Sequence, residues 1–597
     1  MRLTKILVGI VLLCILVYVG VTVWPLVLLV LHRPPHEGIL TALAIAMVTL
    51  HPNESLSQEK YVYVFLAFMI VVAIIVRIDM QLRTSKTHGS ARWASRDVTR
   101  KYRPSRNRFM RPRRQAVQAT GGRPAPFFLL CGKYRGRVVG LAEELQYQHV
   151  LLTGPTGTGK SSRFFLPNLL RETGCRSLFI ADLKNELYQI AGGWLSQRMQ
   201  VWLFAPMRPT VSQGYNPLAH IYSVENARDF AETWVSNTGR SQAQTFFDTN
   251  SELMIAAMAL HLVETEKAPP FFRLSDMLTM RPLDEIVDVL EHSPSKGARL
   301  LAGQLLTNMQ KNERLVGSQM TDVGNRFQLL ASQQVRDLTA INQVDFQEMI
   351  DMPIAFFLSI PRSEVRRYRP LMAVLFKQMM TAWERHGTRG IGCYLDEFAN
   401  IGTVPGFAEF VTTTRSLHVS LIMAIQSFSQ LDERYGRYDA DTIKSNAATH
   451  LLLPGAGLEE TRFYSERIGD TTVRTETVHR RGTGFAQEVS VTESEARRRL
   501  ITADELRTMR PGTMMMLEAT DAPVMLQTTP YYQDRELAAR ANLPCQLTVS
   551  PSGTIIQEEP DPTRPGQYAP RGLPAGSQRS ATGKQAPPPI IDADDDL

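Results

Sequence analysis

The stretch Gly154-Pro155-Thr156-Gly157-Thr158-Gly159-Lys160-Ser161 constrains this chain more than any other. It fits the pattern G-x-x-x-x-G-K-[ST] and directly follows the apolar run His149 to Thr153. Ser162-Arg163-Phe164-Phe165-Leu166 comes next as a helix start, so the order is strand, glycine-rich loop, helix. Such a loop points successive backbone N–H groups inward at phosphates. Lys160 then reaches the β and γ oxygens, and the Ser161 hydroxyl can ligate Mg²⁺. The pattern predicts a nucleoside triphosphate site.

A nucleotide site also needs an acidic residue at the end of another buried strand, and Ile391-Gly392-Cys393-Tyr394-Leu395-Asp396-Glu397 supplies one. Asp396 is expected at the carboxyl end of its strand, holding Mg²⁺ directly or through water. Glu397 is placed to orient or deprotonate the attacking water. Alone, the pair also reads as surface acids after a core strand. The phosphate loop upstream tips the balance to the catalytic reading.

A chain of 597 residues predicts several domains, and 44% hydrophobic with 21% charged content describes a globular protein carrying extra apolar sequence. That extra sequence is at the start. Ile6 to Leu31 is uncharged, long enough to cross a bilayer, and contains Trp24-Pro25 and ends at His32-Arg33. A cleaved signal peptide fits less well, since the run is too long and no small-residue cleavage site follows. A second run, Tyr61 to Val76, is bracketed by Lys60 and Arg77 and completes a hairpin of two spans. Gly38 to Leu50 is apolar but shorter, and packs on the membrane or within the loop between the spans. Arg2 and Lys5 precede the first span and cations crowd after the second, which places both termini in the cytoplasm.

The net charge is +8 and the pI about 9.2, but the excess is local. Residues 77–115 hold thirteen Lys and Arg against Asp79 and Asp97, which leaves the rest of the chain mildly acidic. A basic stretch just inside a membrane is foremost a topology signal that also touches anionic lipid; direct nucleic-acid contact is the lesser reading. The five cysteines form no C-x-x-C pair and no metal-ligand cluster, and Cys393 falls inside a predicted buried strand. They read as reduced structural thiols.

Further apolar runs follow the loop: Ser177 to Asp182, Val201 to Ala205, Ile354 to Pro361, Val419 to Gln426 and His450 to Pro454. Strands spaced by helical stretches predict a mostly parallel sheet with helices on both faces. From Ser223 the pattern turns helical, as in Leu253, Ile255, Met258, Leu260 and Leu262, which predicts an inserted all-helical domain. The expected organisation is a membrane hairpin over 1–80, the first part of the nucleotide domain over 81–222, the helical insert over 223–345, the second part over 346–545, and a tail over 546–597. The tail is rich in Pro, Gly, Ser and Gln, ends in Asp592, Asp594, Asp595 and Asp596, and is expected to be disordered.

Several stretches together resemble the type IV secretion coupling proteins of the TraG/TraD kind, hexameric ATPases related to the FtsK and HerA translocases. They are His88-Gly89-Ser90-Ala91-Arg92-Trp93-Ala94, the phosphate loop, Ala181-Asp182-Leu183-Lys184-Asn185-Glu186-Leu187, Tyr215-Asn216-Pro217-Leu218, Leu395-Asp396-Glu397-Phe398-Ala399-Asn400, Thr412-Thr413-Thr414-Arg415-Ser416, and Ala424-Ile425-Gln426-Ser427-Phe428-Ser429-Gln430-Leu431. The resemblance spans most of the chain. Where the family has Asp-Pro-Lys-Gly-Glu, this sequence has Asp182-Leu183-Lys184-Asn185-Glu186.

The resemblance implies an α/β fold: a RecA-like P-loop NTPase domain with an inserted all-α domain and an N-terminal two-helix transmembrane anchor. It implies ATP and Mg²⁺ as cofactors, Gln426 as a sensor of the γ-phosphate, and Arg415 as an arginine finger supplied by a neighbouring subunit. It further implies a homo-hexamer at the bacterial inner membrane that takes a relaxase–DNA complex or protein effectors to type IV secretion channel subunits. Two other readings stand beside it, a nucleotide-dependent receptor without motor activity and a chromosome-segregating DNA translocase.

Overall fold

A computed structural model describes residues 88–95, 98–104, 127–238, 245–310, 316–387, 390–481, 488–548, 555–560 and 568–571. The expected membrane hairpin over 1–80 lies outside the described residues. Among those described, no helix is long and apolar enough to cross a membrane.

Along the chain, β1 (Leu129–Tyr134) and β2 (Arg137–Leu141) form a hairpin, and β3 (Val150–Thr153) leads into the phosphate loop. Next come β4 (Ser177–Asp182), β5 (Gln200–Phe204), β6 (Ile354–Ser359), β7 (Ile391–Leu395), β8 (Val419–Ile425) and β9 (Thr449–Leu452). A long hairpin, β10 (Asp470–Arg481) and β11 (Glu488–Arg499), precedes β12 (Thr513–Glu518) and β13 (Val524–Gln527). The last strands are β14 (Cys545–Thr548), β15 (Ile555–Pro560) and β16 (Tyr568–Arg571).

Eleven strands make one sheet in the order β2-β1-β13-β12-β9-β3-β8-β7-β4-β6-β5. From β9 to β5 every pairing is parallel, and from β9 to β2 every pairing is antiparallel. Every residue of β3, β4, β6, β7, β8 and β9 is buried. This is why these strands read as unbroken apolar runs: a parallel sheet is covered on both faces.

The two faces feed two cores. Side chains alternate along a strand, so Phe179 and Ala181 of β4 enter one core while Leu178 and Ile180 enter the other. The first core lies under the helices Val224–Thr238, Thr245–Thr265 and Val365–His386, where Phe179 stacks on Phe356 and Phe376 at centroid distances of 5.8 and 5.2 Å. The second lies under Leu166–Leu169 and Leu187–Ser196. Between β5 and β6 the described residues are helices and turns without a strand. Trp234 centres this region, 5.1 Å from Phe271 and 5.5 Å from Phe327 by ring centroid.

Three features depart from the sequence expectation. The antiparallel edge is extra, and its β12 core is the methionine run Met514-Met515-Met516, which carries no β-branched signal. The hairpin β10–β11 alternates Thr and Val with charges and lacks an apolar face, so its periodicity predicts no buried strand. Within the tail expected to be disordered from residue 546, Ile555–Pro560 and Tyr568–Arg571 instead complete an antiparallel sheet with Cys545–Thr548. Strand pairing there offsets the ordering cost that the polar composition alone leaves unmet. The described cysteines Cys131, Cys175, Cys393 and Cys545 form no disulfide with one another, and burial pushes Cys131 up to about 12.

Candidate nucleotide site

Register brings the predicted residues together. β3 pairs with β8 so that Thr153 is level with Ile425, and β8 pairs with β7 so that Met423 is level with Leu395. β7 in turn pairs with β4, with Leu395 level with Ala181. Gly154, Gln426 and Asp396, just past their strand ends, and Asp182, the last residue of β4, therefore gather along the same edge of the sheet. Open parallel sheets bind ligands there.

The loop Gly154 to Ser161 leaves β3 at this edge, with Gly157 and Gly159 at φ 85° and 90°, where a side chain would be strained. Thr158 Oγ1 closes it by donating to the Pro155 carbonyl at 2.8 Å. The helix after it opens on a wide π-type turn, Ser161–Phe165. Lys160 is 4% exposed and its Nζ donates to the carbonyls of Gly154 at 2.5 Å and Pro155 at 3.3 Å. Burial lowers its pKa to about 8; Lys184 and Arg362 push the same way, and Asp396 and Glu397 oppose.

Asp396 and Glu397 both stay inside, 1% and 3% exposed, because Glu397 takes a left-handed turn at φ 58° directly after β7. Asp396 Oδ2 accepts from Ser161 Oγ at 3.3 Å, while its buried Oδ1 has no hydrogen-bond partner among the described residues. Burial raises the Asp396 pKa, Glu397 adds to this, and Lys184 and Lys160 counter it. The Ser161 hydroxyl and the Asp396 carboxylate, one of whose oxygens is buried without a partner, form a hard donor set that suits Mg²⁺. Glu397 Oε1 accepts from Gln426 Nε2 at 3.2 Å and Oε2 from Asn400 Nδ2 at 3.0 Å. The amide thus touches the carboxylate that can take a proton from water.

The sequence reading assigned no role to Lys184, Arg362 or Asn400. Lys184 Nζ stands 3.4 Å from Asp396 Oδ2 and 3.3 Å from Glu397 Oε1, and Arg362 lies 3.8 Å from the same Glu397 oxygen. Burial works against the charged Lys184, but the two carboxylates outweigh it and raise its pKa. Lys184 was legible in principle: it sits two residues past the end of β4, the strand next to β7. Its turn is held by Asp182, which accepts from the backbone N–H of Glu186 at 3.0 Å and of Tyr188 at 2.9 Å. Burial raises Asp182 to about 6 despite those bonds. Asn185 adopts φ 56° where the family has glycine, a left-handed position that asparagine tolerates.

Arg415 is not part of this cluster within one chain. It lies exposed in the turn Thr414–Leu417, ahead of β8. β8 spans seven residues from there toward the phosphate loop, a separation of about 20 Å at strand rise. His149, at the start of the strand that carries the loop, anchors this turn. Its Nδ1 accepts from Leu421 N–H at 3.3 Å, and its Nε2 contacts the Val411 carbonyl at 3.0 Å and Thr414 Oγ1 at 3.1 Å. Burial pushes His149 down to about 4, so the ring is neutral.

A glycine loop after a central parallel strand, faced by an acidic pair two strands away, defines a P-loop fold of the RecA-like kind. The family described as type IV secretory system conjugative DNA transfer matches residues 93–553. The chain belongs to this family, the coupling proteins of type IV secretion. It is 23% identical to Protein VirD4 of Rhizobium rhizogenes over 83% of this chain and 73% of that protein. Protein VirD4 of Rhizobium radiobacter is 22% identical over 77% and 66%. Among solved structures, the unbound bacterial conjugative coupling protein TrwBdeltaN70 shares the fold at TM-score 0.52 with 17% identity, over 67% of this chain and 88% of that one. The plasmid coupling protein TrwB in complex with ADP and Mg²⁺ does so at TM-score 0.54 with 15% identity, over 74% and 96%.

Proposed function

We propose that this chain is a coupling ATPase that binds ATP and Mg²⁺ at Gly154 to Ser161 and uses hydrolysis to deliver substrate to a type IV secretion channel. One observation carries the reading: Ser161 and Asp396 share a buried contact with one Asp396 oxygen left unpaired, beside a Glu397–Gln426 pair. TrwB, which shares the fold, has been seen with ADP and Mg²⁺.

Ser161 and Asp396 would hold Mg²⁺, which would supply positive charge against the transferring phosphoryl group. The chain's own groups do the rest. Backbone N–H groups and Lys160 cradle phosphate, Ser161 and Asp396 hold the metal, and Glu397 accepts a proton from the attacking water. Gln426 reports the state of Glu397 to the helix Phe428–Asn446 that begins two residues on. That helix start is fixed by Glu460, whose Oε1 accepts from Phe428 N–H at 2.7 Å.

Arg415 reaches a phosphate only on a neighbouring copy, so the proposed working form is a homo-hexameric ring. Residues 1–80 would anchor it in the bacterial inner membrane with both termini in the cytoplasm. The proposed cargo is a relaxase–DNA complex or a protein effector. Complementation tests the reading: in a cell lacking its own copy, Lys160→Ala should accumulate normally yet support no substrate transfer. Transfer at the wild-type level would contradict it.

A further inference from the structure

The segment from His88 to Ser95, which starts twelve residues past the apolar run Tyr61 to Val76, is pinned at both ends. His88 N–H donates to Thr472 Oγ1 at 3.1 Å and Ala91 N–H to the Asp470 carbonyl at 2.9 Å, both at the start of β10. Ala94 N–H donates to the Pro523 carbonyl at 3.0 Å, just ahead of β13. Between these anchors the segment walls a pocket of about 370 Å³, the size of a small-ligand site. Its other walls are the end of the helix Leu458–Ile468 and the turn between β12 and β13. Arg92 and Arg467 line it, both exposed and neither with an ion-pair partner among the described residues. Its acids are already engaged. Glu518 accepts from Thr520 N–H at 3.1 Å and Thr520 Oγ1 at 3.0 Å, and Asp521 accepts from Lys101 Nζ at 2.9 Å and from the Tyr102 hydroxyl. Trp93 lines the pocket too, 39% exposed.

Three hydrogen bonds join this pocket to the phosphate loop. Arg467 Nη1 donates to His450 Nε2 at 3.0 Å, His450 Nδ1 meets Tyr464 Oη at 3.1 Å, and Tyr464 Oη meets Thr153 Oγ1 at 3.0 Å. A guanidinium only donates, so Nε2 accepts, Nδ1 carries the proton and points it at Tyr464, and the Tyr464 hydroxyl donates to Thr153. His450, Tyr464 and Thr153 are fully buried. Thr153 ends β3, and the carbonyl of the next residue, Gly154, accepts from Lys160.

We propose that this pocket binds the phosphate of an anionic phospholipid headgroup and passes its occupancy to the nucleotide site. Two unpaired guanidinium groups suit a phosphate, and an exposed tryptophan beside arginine is a pairing found where protein meets a bilayer surface. The place in the sequence, just past the run proposed to span the membrane, favours a lipid over a soluble phosphate. A bound headgroup holds the exposed Arg467 side chain, and with it the bonds to Thr153, so the loop binds nucleotide more tightly. By linkage, nucleotide tightens the lipid to the same degree. The coupling rests on the function proposed above and adds a membrane-dependent affinity to that site.

The test uses the full-length protein in detergent, with soluble dihexanoyl phosphatidylglycerol as the probe and inorganic phosphate beside it. Tryptophan fluorescence reads lipid binding, and a fluorescent ATP analogue reads nucleotide affinity. The lipid should give a saturable change that Trp93→Phe abolishes. Arg92→Ala and Arg467→Ala should each weaken it about tenfold. In the wild type the lipid should tighten the ATP analogue about fivefold. Tyr464→Phe should bind lipid as the wild type does yet lose that tightening. Unchanged lipid affinity in Arg92→Ala, an exposed position whose loss does not endanger the fold, would overturn the pocket. Inorganic phosphate displacing the lipid at equal concentration would overturn the lipid assignment, and tightening that persists in Tyr464→Phe would overturn the coupling. If the wild type binds no nucleotide, the function proposed above fails, while the lipid titration still decides the pocket.

Discussion

Ser161 Oγ lies 3.3 Å from Asp396 Oδ2 across 235 residues of sequence, on the far side of an intervening strand. Two strand ends brought level by register make this contact, and it fixes where a metal ion fits. Ser161→Ala removes one donor and leaves the fold intact, so the magnesium concentration for half-maximal turnover should rise about tenfold, about 1.4 kcal/mol, with little change in melting temperature. A titration of activity against Mg²⁺ measures this.

Lys184 bridges both acids, and its loss should act on hydrolysis more than on binding. Lys184→Ala leaves Asp396 and Glu397 facing each other without a cation between. Turnover should fall by about 10²-fold while nucleotide affinity stays within a few-fold, a split that steady-state kinetics beside equilibrium titration resolves.

The parallel sheet was legible because β4, β6, β7 and β8 are buried on both faces and spell continuous apolar runs. The edge was not: Met514-Met515-Met516 has no strand signature, and β10–β11 gains its order from cross-strand pairing and from contacts with distant residues such as Ser90. At the site, the phosphate loop, Asp396, Glu397 and Gln426 each announced themselves by a local motif. Arg362 did not, because its place beside Glu397 arises from a contact between segments distant in sequence.

Arg415 stands about 20 Å from its own phosphate loop by strand rise, so its predicted effect is between subunits. Arg415→Ala alone should be inactive in ATP turnover. Mixed with Lys160→Ala chains, which lack a working loop but retain the arginine, it should recover part of the activity. A mixture as inactive as its components would rule out action on a neighbour.

His149 is held neutral, with its pKa near 4 in the folded chain against about 6.5 in an unfolded one. The unfolded state therefore takes up the proton first as pH falls through about 6.5. The stability that His149 contributes is present above that pH and is lost on the way down to about 4. Between pH 7.5 and 5.5 the loss is about 1.4 kcal/mol. His149→Gln should melt lower than wild type at pH 7.5 yet lose less on acidification, which thermal scans at the two pH values would show. Asp182, raised to about 6, works in the opposite sense and is common to both proteins.

The claim that this site hydrolyses ATP rests on Glu397, which Lys184, Asn400 and Gln426 hold in place. The most direct measurement is ATP turnover by the full-length protein beside Glu397→Gln, with nucleotide affinity measured in parallel. The account predicts unchanged affinity and a fall in turnover of about 10²-fold or more. Wild-type turnover in Glu397→Gln would contradict it.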